Sequence, residues 1–109
     1  MQNKDDFYLL HSEMCKTISN PKRQAILDIL RNKELTVNEI VEKAKIPQAN
    51  ISQHLAVLRD KGVLTVRRVG NNSYYSISNP KILQAYDLIS EVLKESLDGK
   101  KRTVSEAVG

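Results

Sequence analysis

Residues 36–62 read TVNEIVEKAKIPQANISQHLAVLRDKG, and the fold turns on how this stretch divides. Thr36-Val37-Asn38-Glu39 has the pattern of a reciprocal capping box, in which the threonine hydroxyl and the glutamate carboxylate each satisfy an amide left unpaired at a helix start. A short helix over Val37–Lys43 is predicted from it. Ile46-Pro47 interrupts the pattern, because proline lacks an amide proton and restrains the residue before it. From Gln48 to Lys61, Ile51, Leu55 and Leu58 recur at intervals of four and three, the period of one buried helix face, before Gly62 offers a left-handed stop. The stretch is thus two helices joined by a tight turn.

Working outward, Val63–Val69 is rich in β-branched residues, Gly70-Asn71-Asn72 carries turn chemistry and Ser73–Ile77 is rich in strand formers. A β-hairpin is expected there, with Tyr74 and Tyr75 alternating so that one enters the core and the other faces outward. Asn79-Pro80 pairs a helix cap with a first-turn proline and opens a last helix over 80–97, which Asp98-Gly99 ends. Asn20-Pro21 is the same device upstream, and Ile26, Leu27, Ile29 and Leu30 form one face of a helix that fades near Arg31-Asn32. Phe7, Leu10, Met14 and Ile18 mark a first helix over 4–18, with Asp5 and Asp6 complementing its dipole. The fold class is therefore mainly α with a β-hairpin wing. It is a winged helix-turn-helix in the order α-α-α-α-β-β-α, one domain over 1–98, with a basic tail at 99–109 that frays.

The chain has 109 residues, 40% hydrophobic and 28% charged, which suits one core and is too apolar for a disordered segment. No run is long enough to span a bilayer, and no apolar signal core follows Met1–Asp6. The lone Cys15 cannot close an intramolecular disulfide, which fits a reducing compartment, and a cytoplasmic location is expected. The net charge of +4 favours a polyanionic partner. The surplus lies mid-chain, where Arg59, Lys61, Arg67 and Arg68 face only Asp60, while residues 73–98 are net acidic.

On the second helix of the pair, Ala49, Gln53, Ala56 and Asp60 lie opposite the apolar face, with Asn50 and Ser52 on the shoulders. Small and polar groups suit a DNA major groove, where amides pair bidentately with adenine and a serine hydroxyl serves several bases. Gln48, Ser52 and Gln53 are the base-reading candidates, the small Ala49 permits close approach, and Asn50 joins the DNA-binding set from its shoulder. His54 flanks the apolar side as a packing residue or phosphate contact, and Arg59 closes the helix. In the wing, Arg67 and Arg68 point to opposite faces, so one reaches DNA, Arg68 by preference, and one stays local; Asn71 and Asn72 stand at the tip. The same features could be a solvated helix face and a charged, protected strand edge. The order of wing after helix pair favours DNA. A winged-helix module that docks proteins would want an apolar outer face instead. No phosphate-binding glycine loop, zinc spacing or nucleophile–base pair beyond Cys15 and His11 suggests an enzyme.

The fragments Asn20-Pro21-Lys22-Arg23-Gln24-Ala25-Ile26-Leu27, Leu35-Thr36-Val37-Asn38-Glu39-Ile40, Ile51-Ser52-Gln53-His54-Leu55-Ala56-Val57-Leu58-Arg59 and Arg67-Arg68-Val69-Gly70 through Tyr74-Tyr75-Ser76-Ile77 together resemble the ArsR/SmtB family of prokaryotic repressors. The resemblance covers nearly the whole folded chain. It implies a homodimer paired through its first and last helices that presents two recognition helices to an inverted-repeat operator in double-stranded DNA. Phe7, Leu10 and Met14, with Ile82, Tyr86, Ile89 and Leu93, are then the interface. Independently, the last helix carries that stripe on through Leu97 and adds Ala85, Leu88 and Val92, more apolar surface than one small core needs.

The family also implies an inducer, often a metal ion. Where arsenical sensors carry two cysteines, this chain has Thr36 and Asn38, neither of them a soft-metal ligand. No histidine follows His54, and Asp87, Glu91 and Glu95 alone are a poor zinc set. No metal or other cofactor is expected, and the effector is unidentified. His11 and Cys15, four residues apart on one helix edge, are half of a soft-metal site completed by a second subunit, a redox sensor in which Cys15 joins its dimer mate, or interface packing.

Overall fold

The computed structural model describes residues 3–108, with side chains through Lys100. Met1, Gln2, Gly109 and the side chains of the expected tail beyond Lys100 lie outside the described residues. The elements are α1 (Lys4–Ser19), α2 (Pro21–Ile29), β1 (Leu35–Thr36), α3 (Val37–Ala44), α4 (Gln48–Asp60), β2 (Leu64–Val69), β3 (Asn72–Ile77) and α5 (Lys81–Val108). The chain divides into two units between Asn79 and Pro80, the second of which holds α5.

In the first unit, helix ends follow from capping. Asn3 accepts from the Asp6 amide at 2.9 Å and starts α1. Asn20 accepts from the amides of Lys22 and Arg23 at 2.9 and 3.2 Å, with Pro21 first in α2. At α3 the box closes in both directions: the Glu39 amide donates to Thr36 Oγ1 at 3.3 Å, and the Thr36 amide donates to Glu39 Oε1 at 3.0 Å. The helix ends at Lys45, a left-handed non-glycine residue (φ 56°, ψ 38°). Past α4, Gly62 has φ +79°, its amide donates to the Arg59 carbonyl at 3.0 Å, and the Val63 amide reaches the Leu58 carbonyl at 2.8 Å. These are the paired bonds of a Schellman cap, and a side chain at Gly62 would be strained.

The core gathers Ile26, Leu27 and Leu30 of α2, Leu35, Ile40 of α3, Ile51, Leu55 and Leu58 of α4, and Val63 and Leu64. Burying each such side chain contributes about 1.5–3 kcal/mol. The three buried positions of α4 therefore fix which of its faces is left outside.

The expected hairpin is present as β2 and β3, and β1, which was not expected, adds a third strand to give an antiparallel sheet in the order β1-β3-β2. Leu35 pairs with Tyr75 and Thr36 with Tyr74. Two residues cannot display alternation, and Thr36 serves both as strand end and helix cap, so its capping signal hides the strand. Because β3 is central, Tyr74 and Tyr75 are both half-buried, rather than one inside and one out. Val69 pairs with Asn72, so the loop is only Gly70-Asn71 and Asn72 begins β3. Gly70 has φ +59° and Asn71 has no positive φ, the φ pattern of a type II′ hairpin turn.

In the second unit, α5 passes through Asp98-Gly99 and continues to Val108, which corrects the expected stop. Gly99 takes no left-handed φ. A glycine inside a helix costs about 1 kcal/mol relative to alanine, too little to end a long one. The helix also opens one residue late: the amides of Leu83 and Gln84 donate to the Pro80 carbonyl at 3.1 and 3.2 Å, so Pro80 holds the cap position. No residue from Lys81 to Lys100 is buried. Among the described residues, no helix is long and apolar enough to cross a membrane.

Candidate nucleic-acid interface

With Ile51, Leu55 and Leu58 turned inward, α4 exposes Gln48, Ala49, Ser52, Gln53 and Arg59, and leaves Asn50, His54 and Ala56 half-buried. Gln48, Ala49, Ser52 and Gln53 make one edge over the first turns. Among the described residues, the side chains of Gln48, Ser52 and Gln53 have no hydrogen-bond partner, so their donors and acceptors are uncommitted. Pro47 precedes α4 and supplies no side-chain cap. The helix thus begins with unsatisfied amides and the positive end of its dipole. An edge of this kind can accept from and donate to base edges while its first turn attracts phosphate.

The wing separates its two arginines. Arg67 grips Glu34: Nη2 reaches Oε1 at 2.6 Å, and Nε lies 3.2 and 3.1 Å from the two carboxylate oxygens. Its guanidinium carbon also sits 5.3 Å from the centroid of the Tyr74 ring, in cation–π range. The hydrogen bond from Arg67 holds the Glu34 carboxyl below its usual pKa, and the same bond raises that of Arg67. Arg68, opposite Ser73, is exposed and has no ion pair or hydrogen bond among the described residues. Asn71 and Asn72 are exposed at the tip, beside Val69, which is 48% exposed. Arg59 lies 3.5 Å from its neighbour Asp60, and its side chain stays about half exposed.

His54 is held within the protein. Its Nδ1 accepts from Arg23 Nε at 3.2 Å, and Arg23 Nη1 donates to the Thr17 carbonyl of α1 at 3.3 Å. Burial, then the charges of Arg23 and Lys22, lower the His54 pKa. Sequence reasoning flagged His54 but missed Arg23 and Glu34. Nothing periodic links partners more than thirty residues apart, although Arg23 lies in the first turn of α2, beside the unpaired carbonyls that end α1.

On α1, Phe7, Leu10 and Met14 are 45%, 53% and 38% exposed, and on α5 Ile89 and Leu93 are 68% and 57% exposed; Ile82 and Tyr86 are half-buried. Cys15 is an exposed free thiol 3.6 Å from His11 Nδ1. The metal sites implied by the family resemblance do not fit these residues. The Thr36 hydroxyl is committed to capping α3. Among the described residues, no three His, Cys, Asp or Glu side chains group to hold an ion.

Residues 20–66 match the family described as bacterial regulatory protein, arsR family. The transcriptional repressor PagR of Bacillus anthracis is 38% identical over 82 residues, which are 74% of this chain and 82% of that one. The crystal structure of Rv0081 from Mycobacterium tuberculosis superposes with a TM-score of 0.78 at 35% identity, covering 86% of this chain and 95% of the other. A solution structure from Mycobacterium bovis, that of the homodimeric winged helix-turn-helix DNA-binding domain of Mb0332, gives a TM-score of 0.78 at 26% identity over 90% of this chain and 91% of that one.

Proposed function

Because this chain belongs to the arsR family of bacterial regulatory proteins, we propose that it is a transcriptional repressor acting in the cytoplasm, which binds an inverted-repeat operator in double-stranded DNA as a homodimer. The observation that carries this reading is the uncommitted polar edge of α4, Gln48, Ala49, Ser52 and Gln53, on a helix held by three buried apolar residues. In a dimer two such edges would enter successive major grooves about one helical turn, roughly 34 Å, apart, with Arg68 on the flanking backbone. The exposed apolar side chains of α1 and α5 supply the surface for pairing. A protein-docking module is disfavoured, because the edge is polar where a docking helix would be apolar. The role is one of binding rather than catalysis.

Fluorescence anisotropy with duplexes from the region upstream of its own gene tests the proposal. Salt-dependent preference for an inverted repeat over random duplex is expected, with a dimer as the bound species. Equal affinity for both duplexes would refute it.

A further inference from the structure

We propose that Arg23 and His54 are positioning residues for DNA recognition: Arg23 ties the middle of α4 to the end of α1, and proton uptake by His54 breaks the tie and erodes operator preference. This rests on the DNA-binding reading above.

The tie begins with a helix-end requirement. The last four carbonyls of α1 have no partners within the helix, and α2 supplies two from side chains. Gln24 Nε2 donates to the Ser19 carbonyl at 3.0 Å, and Arg23 Nη1 donates to the Thr17 carbonyl at 3.3 Å. The same guanidinium turns its Nε toward His54 Nδ1 at 3.2 Å, so one planar group bridges two helices. His54 lies between exposed Gln53 and buried Leu55. Holding its ring holds the rotation of the edge that carries Gln53.

The bond exists only while Nδ1 is unprotonated, with the ring proton on Nε2. Arginine does not give up its proton. A protonated ring would therefore set N–H against N–H and cation against cation. The ionised groups acting on the ring are Arg23 and Lys22, both on α2, and both oppose a second positive charge there. From α1 the bridge meets the uncharged Thr17 carbonyl. Neither α3 nor β2, which also pack on α4, brings a charged group that shifts the ring, among the described residues. Burial and these two cations lower the His54 pKa from its ordinary 6.5. The neutral, bonded ring therefore prevails near neutrality, and the tie is lost as pH falls through the lowered value. In the proposed dimer α1 belongs to the shared interface, so an α4 untied from α1 no longer keeps the half-site spacing.

The test compares operator and random duplex binding by the full chain at constant ionic strength between about pH 8 and about pH 5, the range in which histidine switches. Wild type and His54→Asn are measured; asparagine keeps an acceptor near the Nδ1 position but does not titrate. Wild type should lose about tenfold in its operator-over-random ratio on acidification, the factor carried by one hydrogen bond to a charged group. His54→Asn should stay flat. The same fall in both proteins would overturn the proposal. So would a tighter grip by acidified wild type on both duplexes, which would mark His54 as a phosphate contact.

Imidazole nitrogen-15 spectra of DNA-free wild type give a readout independent of the variant's folding. An unprotonated Nδ1 near neutral pH is expected, and an Nδ1–H tautomer would overturn the tie. Arg23→Gln should raise the pH at which His54 titrates; an unchanged titration would count against the bridge. Absence of operator preference at about pH 8 would instead sink the DNA-binding reading, and the positioning role with it, while the spectra still register the bond itself.

Discussion

Gln53 and Arg68 reach solvent from different elements and differ in what they can read. An amide on the α4 edge can pair with one base edge, so Gln53→Ala is expected to cost about 1–3 kcal/mol at one operator position and little on random duplex. In the proposed complex a lone guanidinium on the wing would meet phosphate. Arg68→Ala should therefore weaken binding to every sequence and reduce the magnitude of the log–log salt slope by about 1. Titrations at several salt concentrations separate the two. Glu34 supports a prediction in acid. Its pKa is lowered by the hydrogen bond from Arg67, so its contribution to stability is present above its ordinary 4.5 and is lost as pH falls through the lower folded value. Tyr74 ring shifts followed by NMR should change in that acid range as Arg67 leaves Glu34, and Glu34→Gln should abolish the change. The exposed residues of α4 were legible because three inward positions in a 3.6-residue period determine the outward ones. The bridges Arg23–His54 and Glu34–Arg67 were not, since they join elements whose approach is decided only by tertiary packing.

Several helix boundaries carry a specific capping residue. Asn20-Pro21, the Thr36–Glu39 box and Gly62 announce themselves through residue type and spacing together. Single marks mislead: Asp98-Gly99 resembles a stop, but Gly99 stays within α5. β1 gives no mark at all, because its two residues earn their strand geometry from β3 across the sheet. The eight residues of α3 are too few to hold a helix alone, so their cap matters more than in a longer helix. Thr36→Ala should lower unfolding free energy by about 1 kcal/mol. In urea titrations the midpoint should fall with an unchanged slope, since the surface exposed on unfolding stays the same.

For the whole molecule, assembly is the property most exposed to experiment. Leu88, Ile89, Val92 and Leu93 are each more than half exposed on α5, a face that the proposed dimer covers. Ile89→Glu should shift sedimentation toward monomer and cut operator affinity on the order of 10²-fold, as the two half-sites cease to be held by one particle. Fold class was legible at this scale because helix pair, hairpin and flanking helices occur in one order. The division of the chain at Pro80 was not, since an apolar stripe reads alike whether its own chain or another covers it.

The smallest strand also reaches furthest in consequence. By pairing with β3, Leu35-Thr36 joins the wing to the residue that caps α3, so the distance from the α4 edge to Arg68 belongs to the protein rather than to the duplex it meets. Such a gauge has a fixed pitch. An operator with every contacted base in place, but over- or underwound between groove and flank, would meet it out of phase. The cost of retwisting the duplex then becomes part of selectivity, read from base pairs that no side chain touches.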